Sequence, residues 1–157
     1  MRPREHTYGL TLRWTGDRGT GTSGYRDYGR EHEVSADGKP PLPGTADPFF
    51  RGEPDRWNPE ELLVAALAQC HMLSYLAQCA LQGVVVTGYV DEPVGTMTET
   101  AGAGEFTSVV LRPTVTVADE GMVAKARELH GPAHDSCFIA RSVNFPVWHE
   151  ATVVVAG

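Results

Sequence analysis

Apolar residues crowd one stretch of this chain, Pro59 to Gln82, more densely than any other. The stretch has a well-marked start: Asn58 is a favourable N-cap, Pro59 suits the first turn, and Glu60 and Glu61 complement the positive end of the helix dipole. Asn58 and Glu61 have the spacing of a capping box. Gly83 is a natural C-cap, so the pattern predicts a helix from about Pro59 to Gln82. Before it, loose alternation over His6, Tyr8, Leu10, Leu12 and Trp14 predicts a strand, and Tyr25 to Val34 a second. Ser35 to Trp57, rich in Pro, Gly and Asp, predicts a long surface loop. After it, Val84 to Val90 predicts a strand, Pro93 to Gly104 a turn region with a short strand near Thr96 to Thr100, and Phe106 to Ala118 a further strand with Pro113 at an edge or a bulge. Asp119 to His130 has helix-forming composition, with Met122, Ala126 and Leu129 on one face and Gly131-Pro132 as a break or kink. A short helix carrying Cys137 is expected within Ala133 to Ser142, and a terminal strand over Phe145 to Val155.

The long helix carries apolar residues on nearly every face, among them Leu63, Leu67, Met72, Leu76 and Leu81. Such a helix must be covered all round, which a chain of 157 residues rarely achieves alone. The expectation is one domain over 1–157 in a homodimer that buries this helix.

Composition narrows the function classes. A formal net charge of -7 argues against non-specific nucleic-acid binding, which needs a basic face. No apolar run is expected to reach the ~20 residues of a membrane span. Met1-Arg2-Pro3-Arg4-Glu5-His6 has no apolar region behind it, so it does not resemble a signal peptide, and a soluble cytoplasmic protein is the default. Three cysteines, Cys70, Cys79 and Cys137, form neither a secreted disulfide framework nor a zinc pattern. No serine sits in a GxSxG context, which leaves a hydrolase without support.

Cys70, in mid-helix, needs a nearby cation or donor to react, because burial disfavours a thiolate. Arg26, Arg51 and Arg56, all ahead of the helix, are candidate cations, with Glu60 and Glu61 available to orient a guanidinium. Glu60 precedes Cys70 by ten residues, roughly 15 Å along a helix. An antiparallel partner helix could bring Glu60 of one chain near Cys70 of the other, giving a site shared between subunits. His71, His130 and His134 are candidate pocket residues, and with Cys70 and Cys137 they would make a metal site only if they converged. Cys79, nine residues past Cys70, falls on a different helix face and is expected to be a core thiol.

Asn58-Pro59-Glu60-Glu61-Leu62-Leu63, Ala65-Ala66 and Cys70 together resemble the signature helix of the OsmC/Ohr family, the osmotically inducible and organic hydroperoxide resistance proteins. Ala133-His134-Asp135-Ser136-Cys137-Phe138-Ile139 is similar to that family's second-cysteine segment, and Gly24-Tyr25-Arg26-Asp27-Tyr28-Gly29-Arg30 to the stretch bearing its arginine. The resemblance implies an α/β (α+β) fold, with antiparallel sheets wrapped around a buried central helix in an intertwined homodimer. It implies reduction of organic hydroperoxides without a bound cofactor or metal. Cys70 would be the peroxidatic residue and Cys137 the resolving one, with Arg26 activating Cys70 and Glu60 orienting Arg26. An external dithiol, small or lipoylated, would reset the pair. The alternative within the same fold is a non-catalytic small-ligand-binding or redox-sensing protein.

Overall fold

The computed structural model describes residues 1–157 as a mixed α+β chain in two compact units, Met1–Leu62 and Leu63–Gly157. The first unit is built on a three-stranded antiparallel sheet, β1 (Thr11–Trp14), β2 (His32–Ser35) and β3 (Leu42–Gly44), with β2 in the centre. The strand expected over Tyr25 to Val34 is therefore shorter and begins at His32. Tyr25 to Tyr28 instead form a turn, closed by the Asp27 N–H donating to Gly24 O at 3.0 Å. The expected long loop holds β3 and a short 3₁₀ turn at Pro48–Phe50, which Asp47 caps by accepting from the Phe49 N–H at 2.7 Å. Thr45 is fully buried; its hydroxyl donates to Glu53 at 2.7 Å and accepts from the Glu53 N–H at 3.1 Å. Gly52 packs directly against the Ala46 carbonyl, leaving no room for a Cβ.

Helix α1 runs Pro59–Leu81, and both of its ends follow from local chemistry. Asn58 Oδ1 accepts from the Glu61 N–H at 2.9 Å, and the Asn58 N–H donates back to Glu61 Oε2 at 3.2 Å, a reciprocal capping box. At the other end Gly83 adopts φ 74° and the Val84 N–H donates to Cys79 O at 2.9 Å, closing a Schellman motif that only a left-handed residue permits. Contrary to the sequence expectation, α1 is long and apolar enough by composition to cross a membrane, at 23 residues with a mean hydropathy of 1.4 over an 18-residue window. It is nonetheless a core helix: Leu67, His71, Tyr75 and Cys79, spaced by four, form a buried stripe. Leu73 and Leu81, off that stripe, stay 62% and 78% exposed, so part of the apolar helix surface is uncovered in the single chain.

The second unit carries two sheets, in orders β4-β7-β9 and β5-β6-β8. Their strands are β4 (Val86–Asp91), β5 (Val94–Thr100), β6 (Ala103–Leu111), β7 (Pro113–Val117), β8 (Val147–His149) and β9 (Thr152–Val155). β4 pairs antiparallel with β7 and β5 with β6, while β6–β8 and β7–β9 are parallel, so the sheets are mixed rather than wholly antiparallel. The strand expected over Phe106 to Ala118 is two strands in different sheets. The chain turns at Arg112, whose N–H donates to Asp91 Oδ1 at 2.7 Å, and Pro113 opens β7, where its missing N–H matters least. Phe145 to Val155 divides likewise into β8 and β9. The turn region from Pro93 is mostly the β5–β6 hairpin, closed by Ala101 and Gly102 at φ 55° and 80°.

Two short helices complete the unit, α2 (Val123–Glu128) and α3 (His130–Ser136). Ala126 and Leu129 are buried and Met122 packs beside them, as the spacing predicts. The break falls at Leu129, two residues before the expected kink at Gly131, and Gly131-Pro132 sit inside the first turn of α3. Tyr75, Cys79, Val115, Val117, Ala126 and Val153 anchor one core cluster; Leu67, Val109, Leu111 and Val147 form the other.

Candidate functional site

Cys70 and Cys137 come together in the second unit. Cys70 is half-buried on α1; Cys137 is 1% exposed and follows the last turn of α3. The two thiols lie close enough for Cys70 to act on the ionisation of Cys137, and both are free. Burial, then the Cys70 thiol beside it, push the Cys137 thiol up to about 11, against the opposing pull of the Ala140 and Ile139 N–H groups. The Ala140 N–H lies 3.5 Å from Cys137 Sγ. Cys137 is thus a neutral thiol at neutral pH. Cys79 is also buried but stands apart, against Tyr75; burial raises its pKa too, as expected of a core thiol.

Beside the thiols lies a cluster of histidines. His71 and His130 are each 1% exposed, and His71 Nε2 meets His130 Nδ1 at 3.0 Å. Their ring planes differ by 7° with centroids 5.3 Å apart, about the nitrogen separation plus one ring radius on each side. The rings therefore meet head-on, sharing one hydrogen between facing nitrogens rather than aiming both lone pairs at a common third point. No group of three or more His, Cys, Asp or Glu side chains is placed to hold a metal ion. His149 sits 5.5 Å from His71 and 5.7 Å from His130 between ring centres, and His134 6.0 Å from His149. Tyr75 stacks on His130 at 3.9 Å and donates its hydroxyl to Ala126 O at 2.9 Å. Burial, then the neighbouring imidazoles, hold His71 down to about 3 and His130 to about 4, and burial also lowers His149. His71 and His130 are therefore neutral near pH 7.

The arginine and glutamate lie in the first unit. Arg26 is exposed in the Tyr25–Tyr28 turn and makes no ion pair with Glu60. Arg51 is exposed at φ 70°, ending the 3₁₀ turn, and Arg56 acts electrostatically on Glu31. The arginine that shares a cavity with Glu60 is Arg30. That cavity, about 390 Å³, is also walled by Trp14, Tyr28, His32 and Phe50. Arg30 donates to Tyr28 O at 2.5 Å and Tyr25 O at 2.8 Å, and its guanidinium lies over both tyrosine rings at 4.0 and 4.5 Å. Trp14 Nε1 donates to Gly29 O at 2.8 Å, which fixes the adjoining backbone. Two carbonyls and two aromatic faces thus orient this guanidinium without a carboxylate.

Arg30 and His149 are the residues that the sequence does not single out. A Tyr-x-x-Tyr-x-Arg spacing was available as a signal for Arg30. For His149 there was none, because only the parallel pairing of β8 with β6 carries it to the cluster.

Residues 52–152 match the family model described as OsmC-like protein. The uncharacterized protein YmaD of Bacillus subtilis is 30% identical over 105 residues, covering 64% of this chain and 70% of that protein. Among solved structures, an OsmC-like protein of unknown function from Vibrio cholerae superposes with a TM-score of 0.83 at 30% identity, over 94% of this chain and 99% of that one. An organic hydroperoxide resistance protein from Elizabethkingia anophelis shares the fold with a TM-score of 0.67 at 16% identity, over 98% of this chain and 100% of that one.

Proposed function

The chain belongs to the OsmC-like protein family, and we propose that it is a thiol-dependent peroxidase that reduces organic hydroperoxides to alcohols. The observation that carries this reading is the pair of neighbouring free thiols in unequal settings: Cys70 half-buried, Cys137 buried with its pKa raised. Unequal settings separate the roles. The accessible thiol attacks first; the buried neutral one waits.

Cys70, as thiolate, attacks the terminal peroxide oxygen. The O–O bond breaks, the alkoxide takes a proton and leaves as alcohol, and Cys70 becomes a sulfenic acid. The Cys137 sulfur then attacks Cys70 Sγ. An S–S bond forms, the S–O bond breaks, and the hydroxide takes up the proton released by Cys137 to leave as water. A small dithiol or a lipoylated protein reduces the disulfide by exchange, in a cytoplasmic setting that keeps thiols reduced.

Arg30 replaces Arg26 in the proposed activating role, because Arg30 is the oriented guanidinium on the cavity that Glu60 lines. The aromatic walls of that cavity suit an alkyl or aryl peroxide better than hydrogen peroxide. Glu60 and Cys70 stand roughly 15 Å apart along one helix, so we place the complete site in a homodimer, with Arg30 and Glu60 of one copy serving Cys70 of the other. The uncovered Leu73 and Leu81 on α1 supply apolar surface for that second copy.

Peroxide consumption with dithiothreitol as reductant tests the reading. Cys70→Ser is expected to abolish turnover and Cys79→Ser to preserve it; equal loss in both would refute the assignment.

A further inference from the structure

Helix α3 has little intrinsic stability and is held by packing, with Ala133 fully buried in the core cluster that also holds Tyr75. It is seven residues long, has no side-chain cap at its N-terminus, and carries Gly131 and Pro132 in its first turn. A helix this short does not hold itself together; packing must fix it. Yet Cys137 hangs from its last turn, and a disulfide tolerates only a narrow range of Cα and Cβ separations. Something must set where α3 lies against α1.

The histidine pair is placed to do this. His130, His134 and Cys137 are spaced by four and three, so they share one face of α3. On α1, His71 directly follows Cys70. The two helices therefore meet imidazole against imidazole at 3.0 Å, with the Cys70 thiol near enough to act on Cys137 beside that contact. Both imidazoles are buried, so no water can substitute for the missing partner if either is removed. Tyr75, four residues after His71 on the same helix, clamps the His130 ring from its face at 3.9 Å.

We infer that the His71–His130 hydrogen bond is a positioning device that holds α3 in register on α1 and so presents Cys137 to Cys70. The inference rests on the two-cysteine reading of the site and extends it to the buried imidazoles beside the thiols. Because burial keeps both rings neutral, the tie does not loosen on titration near neutral pH. The quantity it controls is the effective concentration of one thiol at the other.

Equilibration of the purified protein with glutathione redox buffers measures that quantity without any peroxide. One glutathione disulfide is consumed, two glutathiones are released, and Cys70 and Cys137 are oxidised to their disulfide. In H71L/H130L both partners become apolar, which leaves no unpaired nitrogen, so the melting temperature should move little. The effective concentration is expected to fall tenfold or more. In H71Q/H130N each amide sits near the ring nitrogen that made the bond, and the value should recover to within about threefold of wild type. An unchanged effective concentration in H71L/H130L would overturn the inference, as would equal loss in both double variants. Failure of the wild-type pair to close with cumene hydroperoxide, while it still closes with glutathione disulfide, would sink the peroxidase reading and leave this one standing.

Discussion

Acidification should destabilise this protein through two buried imidazoles, and the size of the effect can be worked out. His71 and His130 ordinarily titrate at 6.5 but are held at about 3 and about 4 in the folded chain. Below 6.5 the unfolded chain binds a proton at each ring that the folded chain refuses, so stability falls as pH falls. The contribution is complete above about pH 6.5 and drains away as pH approaches the folded values. Between pH 7.5 and 5 the linkage amounts to about 2 kcal/mol for each ring, about 4 kcal/mol for the pair. That is a large share of the 5–15 kcal/mol typical of a folded domain. H71Q/H130N removes both titrations while keeping a hydrogen bond between the same helices. Urea denaturation at a series of pH values, wild type against H71Q/H130N, isolates the term because every other titrating group is common to both. The stability difference between them should change by several kcal/mol across that range. Parallel curves would refute the argument and mean that these rings reach water or charge freely in the fold.

Two further outcomes are expected. Asn58→Ala removes the reciprocal capping box at the start of α1 and should cost about 1 kcal/mol in chemical denaturation; an unchanged midpoint would mean that the helix start is held by something else. Arg30→Ala should lower kcat/KM for cumene hydroperoxide by about a hundredfold, roughly 3 kcal/mol of transition-state stabilisation, whereas Arg26→Ala, on an exposed turn, should change it less than threefold; the reverse order would restore Arg26.

What the sequence revealed was local chemistry. Asn58 with Glu61, and Gly83 after the last turn, mark the ends of α1 because capping acts over three or four residues. Met122, Ala126 and Leu129 disclose a buried face because helical spacing is itself local. What stayed hidden depended on distant partners. Pro113 suggested an edge or bulge within one strand, yet it opens a strand that lies centrally between β4 and β9, and only the corner fixed by Asp91 and Arg112 separates it from β6. His149 reaches the histidine cluster through a parallel pairing across 38 residues of chain, from Leu111, a contact that no periodicity encodes. The anchoring of Arg30 is hidden from the sequence for a different reason. The resemblance of Gly24 to Arg30 to the family's arginine segment points to Arg26, whereas the guanidinium that this chain holds, with tyrosine carbonyls and rings, is that of Arg30. The pairing of Cys70 with Cys137 was legible through the resemblance of their two segments to the OsmC/Ohr family, since Cys79 lies in the same apolar helix as Cys70.

The most direct test of the central claim is a free-thiol count with intact mass on fully reduced protein, before and after one equivalent of cumene hydroperoxide. The account predicts rapid loss of two of the three thiols, a mass decrease of two hydrogens, and a peptide map that joins Cys70 to Cys137 and leaves Cys79 free. Three surviving thiols, or a crosslink through Cys79, would contradict it.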